Sequence, residues 1–191
     1  MKLNIGAGDH PLPGWWNTDL NPCHSSIMQL DATKRFPFND GIFERVFSEH
    51  MIEHVPYAAG FSMLQECYRV LEPGGRIRIS TPDLDFLFNL GTRGEKIDRD
   101  YISWACRIFN PGDPVSAVTV INNFMRAWGH QFIYDRMALS GALIGAGFVK
   151  ITSHGIQQSD DPEFRNLEND SRMPPGFLAL ETMTLEGDKP P

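Results

Sequence analysis

A chain of 191 residues suits one domain with a sizeable core. Its net charge of −7 argues against a broad nucleic-acid footprint, and the basic pairs Lys34-Arg35 and Arg76/Arg78 are too sparse to change that. Cys23, Cys67 and Cys106 are odd in number and lack metal-ligand spacing, so they read as free thiols of a reducing compartment.

Lys2 to Ile5 is a short strand-type run that ends in Gly6-Ala7-Gly8. Glycine lets the backbone turn sharply and leaves no side chain between the turn and a ligand. In open α/β sheets such a strand end is where nucleotide-like ligands sit, although a lone G-x-G also suits a plain tight turn. Asp9 to Trp16 holds two prolines and a glycine, which forbid a long helix. Eight extended residues span roughly 26 Å and a five-residue strand roughly 17 Å, so a loop can still return the chain to a parallel second strand.

That second strand is expected at Trp16 to Leu20, a third at Ile27 to Leu30 and a fourth at Phe43 to Ser48, with a turn at Phe36 to Gly41. Met63, Leu64, Cys67, Val70 and Leu71 recur at helical spacing, predicting a helix from Phe61 to Leu71 that Gly74-Gly75 stop. Arg76 to Thr81 is a fifth strand. Residues 84–129 are far longer than an ordinary connection and carry helix-like runs at Tyr101 to Phe109 and Val115 to Trp128. They read as an inserted helical cap, with a helical part of the core as the alternative. A helix over Asp135 to Gly145 and a strand over Gly147 to Ile151 follow. Gln157 to Gly176 reads as a mobile loop, Phe177 to Thr184 as the last strand and Gly187 to Pro191 as a disordered tail.

Five features in this order carry a resemblance: Leu3-Asn4-Ile5-Gly6-Ala7-Gly8, Asp19-Leu20, Asp31-Ala32, Ser48-Glu49-His50 after the fourth strand, and the helix ending in Leu71-Glu72-Pro73-Gly74-Gly75 before the fifth. The chain resembles the class I S-adenosylmethionine (SAM) dependent methyltransferases, in particular their type 11-like small-molecule branch. The resemblance covers residues 2–83, resumes at His130 to Thr152 and is absent between. It implies an α/β fold: a Rossmann-like three-layer sandwich with a mostly parallel sheet, an antiparallel last strand and a helical insertion. The expected organisation is a single domain with its core at 1–83 and 130–186, the cap at 84–129 and the tail at 187–191.

The resemblance also implies SAM as cofactor, S-adenosylhomocysteine as product, and a cofactor site made of Asn4, Gly6, Ala7, Gly8, Asp19, Leu20, Asp31, Ala32, Ser48, Glu49 and His50. Asp19 would accept the ribose hydroxyls; its local alternative is a turn-capping residue beside Asn21-Pro22. Asp31 and Ala32 would read the adenine edge; the local alternative is a helix N-cap. Pro11 stands at the third-glycine position of G-x-G-x-x-G, and no proper helix follows, which counts against NAD and FAD.

His50-Met51-Ile52-Glu53-His54 matches the H-x-x-E-H pattern of inverted zinc peptidases. That motif needs a helix, whereas this stretch leaves a strand and meets Pro56 at once, so no metal is expected. In the methyltransferase reading Glu53 and His54 lie at the rim, toward the substrate; a buried structural ring is the alternative for His54. A base is required only if the acceptor must lose a proton, and the candidates are His50, His54, Asp83 and His130, left unranked. D-P-P-Y and N-P-P-Y motifs of nucleic-acid amino methylases are absent, with Ser80-Thr81-Pro82-Asp83 in their place.

The function expected is methyl transfer to a small molecule or a glycan precursor. The alternatives are a non-catalytic SAM-binding or S-adenosylhomocysteine-binding regulatory partner and, disfavoured by Pro11, a dinucleotide oxidoreductase. No signal-peptide pattern is visible, and the apolar stretch from Ala142 to Val149 is too short to span a bilayer. A cytoplasmic location without a membrane span is therefore expected, and a homodimer stays open.

Overall fold

The computed structural model describes all 191 residues, Met1–Pro191. One sheet of seven strands contains β1 (Lys2–Ile5), β2 (Trp16–Asp19), β3 (Ile27–Gln29), β4 (Phe43–Glu49), β5 (Leu71–Pro82), β6 (Val149–His154) and β7 (Thr182–Asp188). Their order is β3-β2-β1-β4-β5-β7-β6, with β7 antiparallel to both of its neighbours and the other pairs parallel. The helices are α1 (Tyr57–Val70), α2 (Leu84–Asn89), α3 (Lys96–Phe109), α4 (Ala117–Arg126), α5 (Arg136–Ala146) and α6 (Phe177–Glu181). This is the Rossmann-like architecture that the resemblance implies. No helix is long and apolar enough to cross a membrane.

Side chains alternate across the sheet, and here the two faces differ sharply. Leu3 and Ile5 of β1, Val46 of β4, Ile77 and Ile79 of β5, and Met183 and Leu185 of β7 join the main core with α1 and α5. The opposite positions include Arg45 of β4, Arg76, Arg78 and Ser80 of β5, and Glu186 and Asp188 of β7. A parallel sheet is ordinarily apolar on both faces. This one buries its polar face under the segment 155–172, where the sequence suggests a mobile loop. Arg78 is fully buried there and donates to Glu168 Oε1 (2.7 Å), Glu186 Oε1 (2.6 Å) and the carbonyls of Gln158 and Gly155. Ser80 and the backbone N–H of Gln157 complete the shell around Glu168. Phe164 and Leu167 pack with Leu12 and Phe47 beside this network. The segment is polar and proline-rich because its partner surface is ionic; a search for apolar periodicity cannot detect that.

Several boundaries also differ from the sequence expectation. α1 begins four residues before the predicted Phe61, directly after Pro56, and ends at Val70, so Gly74-Gly75 sit inside β5 and are not its stop signal. Residues 177–181 form α6, so the last strand starts only at Thr182. The tail is docked: β7 runs through Asp188, and Lys189 Nζ donates to the carbonyls of Tyr68 (2.8 Å) and Leu71 (2.6 Å). A helix end exposes carbonyls without partners, and an ammonium satisfies them.

Residues 9–15 carry no helix, in line with their prolines. Asn17 holds the loop instead. Its Oδ1 accepts from Leu12 N–H (2.8 Å) and from Asn4 Nδ2 (2.9 Å), and its own Nδ2 donates to the Leu12 carbonyl (3.0 Å). Residues 84–129 contribute three helices where two are expected. α2, α3 and α4 enclose a second apolar cluster with Phe86, Leu87, Tyr101, Phe124 and Phe177. Ser116 caps α4 by accepting from Thr119 N–H.

Candidate active site

Two hollows open at the carboxyl ends of the central strands. The first is a cleft of about 400 Å³ along the β1 glycine turn. Of the residues expected to hold a cofactor it brings together Gly6, Gly8, Asp19, Leu20, Asp31, Ala32 and His50, and it adds Leu30, Thr33, Met51 and Val55. Gly6 (φ 77°) and Gly8 (φ 53°) both take left-handed backbone. Their roles differ. A Cβ on Gly6 would lie 2.6 Å from Met51 Cγ, so Gly6 admits its own protein, whereas a Cβ on Gly8 would meet nothing within 4 Å and would point into free space. Asp19 acts as the turn residue the sequence allows, accepting from Asn21 N–H (2.9 Å), and also accepts from Gly8 N–H (2.9 Å). It is thus held rigidly at the rim of the cleft. Asp31 accepts from the N–H and hydroxyl of Thr33 through one oxygen, Oδ1.

The remaining expected cofactor residues lie elsewhere. Asn4 is buried and hydrogen-bonded to Asn17, on the face of the sheet away from α1. With Ala7 and Glu49 it lines a recess of about 20 Å³ that shares Gly6 with the cleft. Glu49 accepts from Asn169 N–H (3.2 Å) and pairs with Arg172 (3.3 Å); burial raises its carboxyl despite the arginine. Ser48 is buried in β4 and touches neither hollow; its hydroxyl has no hydrogen-bond partner. Strand alternation explains the split: Asn4 and Glu49 point to the polar face and Ser48 into the core, so the cleft is lined by residues at the strand ends and just beyond them.

The second hollow, about 330 Å³, adjoins the first across His50 and His54, which line both. Its walls are Tyr101, Trp104 and Phe109 of α3, Phe124 of α4, Trp128, His130, Pro82, Arg172, Met173 and Glu181, with Glu53 at its base. The helices of residues 84–129 therefore stand over the carboxyl ends of β4 and β5. Residues 52–54 form a short 3-10 turn, not the helix a zinc-peptidase motif needs. His50 takes left-handed backbone (φ 46°) and bonds Thr182 Oγ1 through Nε2 (2.8 Å). His130 reaches the site because Gln131 and Phe132 donate their N–H groups to the Glu53 carbonyl, and Gln131 Nε2 donates to the His54 carbonyl.

Glu53 is fully buried. Its Oε2 accepts from Thr81 Oγ1 (3.0 Å), but Oε1 has no hydrogen-bond partner. His50 Nδ1 at 3.5 Å and His54 Nε2 at 3.9 Å are too distant or ill-aligned to serve. Desolvation raises the Glu53 carboxyl to about 7 and lowers the imidazoles of His50, His54 and His130, so all three rings are held neutral near pH 7. Glu181 is likewise pushed up to about 7 by burial, beside the Tyr101 hydroxyl that donates to it.

Asp83 is not among these groups. It accepts from Asp85 N–H as the N-cap of α2 and lines neither hollow. Sequence reasoning passed over Arg172 and Glu181, which lie in the two segments expected to be a loop and a strand. It placed Glu53 at the rim, and its burial has no local signal.

The comparisons agree with this architecture. Residues 16–79 match the family model of a methyltransferase domain. A SAM-dependent methyltransferase of Archaeoglobus fulgidus is similar in fold, with a TM-score of 0.57 and 15% identity over 98% of this chain and 85% of that one. A SAM-dependent methyltransferase of Thermotoga maritima gives a TM-score of 0.55 and 14% identity over 98% and 81%. Phosphoethanolamine N-methyltransferase 2 of Haemonchus contortus, solved with S-adenosyl-L-methionine, gives 0.53 and 14%; this chain aligns over its whole length but spans only 48% of that protein. No curated protein matches the sequence.

Proposed function

We propose that this chain is a class I SAM-dependent methyltransferase, a reading supported by its matched segment and its fold, and that it passes a methyl group across the His50–His54 boundary to an acceptor held under residues 84–129. One observation carries the reading: the glycine-turn cleft and the aromatic hollow share His50 and His54 as a common wall. The cleft suits SAM, since it combines bare backbone at Gly8, two carboxylates at Asp19 and Asp31, and the apolar side chains of Leu20, Leu30 and Met51. Asp19 would accept the ribose hydroxyls with the lone pairs its turn leaves free, and Asp31 Oδ2 would accept the adenine amino group. SAM supplies a methyl on a cationic sulfur, already a good leaving group. The chain's own task is to align the acceptor and exclude water.

Tyr101, Trp104, Phe109, Phe124 and Trp128 offer that exclusion, and they favour an acceptor that is partly apolar: a small molecule or a glycan precursor. If the acceptor must lose a proton, His50, His54 and His130 are neutral imidazoles within the hollow, able to take it. Calorimetry with SAM, S-adenosylhomocysteine and NAD, followed by transfer of radiolabelled methyl to fractionated small molecules, tests this reading. Binding of the first two but not NAD, with label appearing in an acceptor, is expected. Binding without any transfer would leave a regulatory SAM-binding protein. Binding of NAD alone would overturn the assignment of the cleft.

A further inference from the structure

We infer that Glu53, His54 and His130 form a divalent-cation site at the base of the aromatic hollow. The sequence pattern argues against a metal because it pairs His50 with His54 on a helix that does not form. The fold makes a different set. One ligand atom from each of Glu53, His54 and His130 lies within 4.8 Å of the others. His50 Nδ1 also lies 3.5 Å from Glu53 Oε1, but its Nε2 is held by Thr182 and the ring does not join His130 in the set.

Three features point to a cation and not to a chance polar cluster. Glu53 Oε1 is wholly buried, lies 3.9 Å from His54 Nε2 and has no hydrogen-bond partner, a costly state that a bound cation would relieve. His130 donates Nδ1–H to the Phe124 carbonyl (2.8 Å), which leaves its Nε2 lone pair free. Such a bond from the far ring nitrogen to a backbone carbonyl is how metal-binding histidines are oriented. His54 turns its Nε2 toward Glu53 Oε1, 3.9 Å away, with its Nδ1 edge beside the Trp128 backbone.

Two imidazoles and one carboxylate with the remaining positions open suit zinc or another first-row divalent ion. Donors around tetrahedral zinc stand roughly 3.4 Å apart, given bonds of about 2.1 Å, so small rotations of the part-exposed His54 would close the set. The open positions would face the hollow. On the methyl-transfer reading, an acceptor hydroxyl or carboxylate oxygen would bind there, and a hydroxyl so bound would ionise more readily. His50, outside the set, would take the proton on Nδ1, its Nε2 being held by Thr182 Oγ1.

Metal binding is measured apart from methyl transfer. Purified chain is stripped with a chelator and titrated with zinc and with cobalt, whose visible spectrum reports nitrogen and oxygen coordination. One ion per chain is expected, with affinity falling at least about a hundredfold in His54→Ala and in His130→Ala. Glu53→Gln should show the same loss; because it is buried, its melting temperature is recorded alongside, and the two histidine variants carry the test if it unfolds. SAM calorimetry on the stripped protein should be unchanged, which separates this inference from the assignment of the cleft. No stoichiometric ion in the wild type, or equal affinity in the histidine variants, would overturn the site.

Discussion

At Asp19 both carboxylate oxygens already hold backbone N–H groups, those of Gly8 and Asn21, so the side chain is fixed before any ligand arrives. Asp19→Ala should weaken SAM by about 2–3 kcal/mol, the scale of charge-assisted hydrogen bonds lost from a part-buried site. Unchanged affinity by calorimetry would leave Asp19 a turn residue alone. Gly8→Val should abolish SAM binding while the fold survives. The new Cβ meets no protein atom, and the left-handed backbone costs about 1–2 kcal/mol. Wild-type binding by that variant would place the cofactor elsewhere. Glu181 gives a pH signature. Burial raises its folded value to about 7 from 4.5, so the folded chain holds this proton more tightly than the unfolded one. Its stabilising contribution is complete below pH 4.5 and is lost as pH rises through about 7, at no more than about 1.4 kcal/mol per pH unit. Arg172, Tyr101 and Glu53 surround it, and because burial raises Glu53 over the same range, Glu181→Gln should lessen the slope of denaturation free energy between those limits and leave the Glu53 share. An unaltered slope would assign the titration to another group. Gly8, Asp19 and Asp31 were legible because short-range order along the chain marks them. Arg172 and Glu181 were not, since nothing near them in sequence announces that they meet the histidines.

At the scale of elements, the cap and the 155–172 cover do different work. Phe124 and Trp128 pack edge to face with ring centroids 5.4 Å apart, and both line the aromatic hollow but not the glycine-turn cleft. Phe124→Ala or Trp128→Ala should leave SAM affinity within a few-fold of wild type while turnover falls much further, with melting temperature measured alongside. Equal losses in both would make the cap a structural part of the cofactor site. The cover depends on Glu168. Removing it leaves Arg78 buried with only Glu186 as counter-charge, so Glu168→Ala should cost about 3–5 kcal/mol in chemical denaturation. A change near zero would mean that water reaches the sheet face. Hydrophobic spacing revealed α1, α5 and the strands because they face the apolar core. The cover escapes that spacing because its partners are the alternate residues of Arg76-Ile77-Arg78-Ile79-Ser80, whose two-residue alternation marks a strand without naming what covers its polar side.

Across the whole molecule, the polar sheet face and the helix-free first crossover belong together. Asn17 closes the β1–β2 loop in place of a helix, and residues 155–172 lie where a second helical layer would otherwise pack. The fold class and its antiparallel last strand were legible through the motif order and the resemblance it carries, whereas the covering of this face depends on residues more than 70 positions apart, such as Arg78 with Glu168 and Glu186. The apolar face, the glycine turn and the cap nevertheless converge on one place, the wall shared by the two hollows. A crystal structure with S-adenosylhomocysteine tests that convergence most directly. The account predicts the ligand along Gly8, Asp19 and Asp31, with its sulfur directed past His50 and His54 into the hollow lined by Trp104, Phe124 and Trp128. A ligand in another cleft, or a sulfur directed away from His50 and His54, would contradict it.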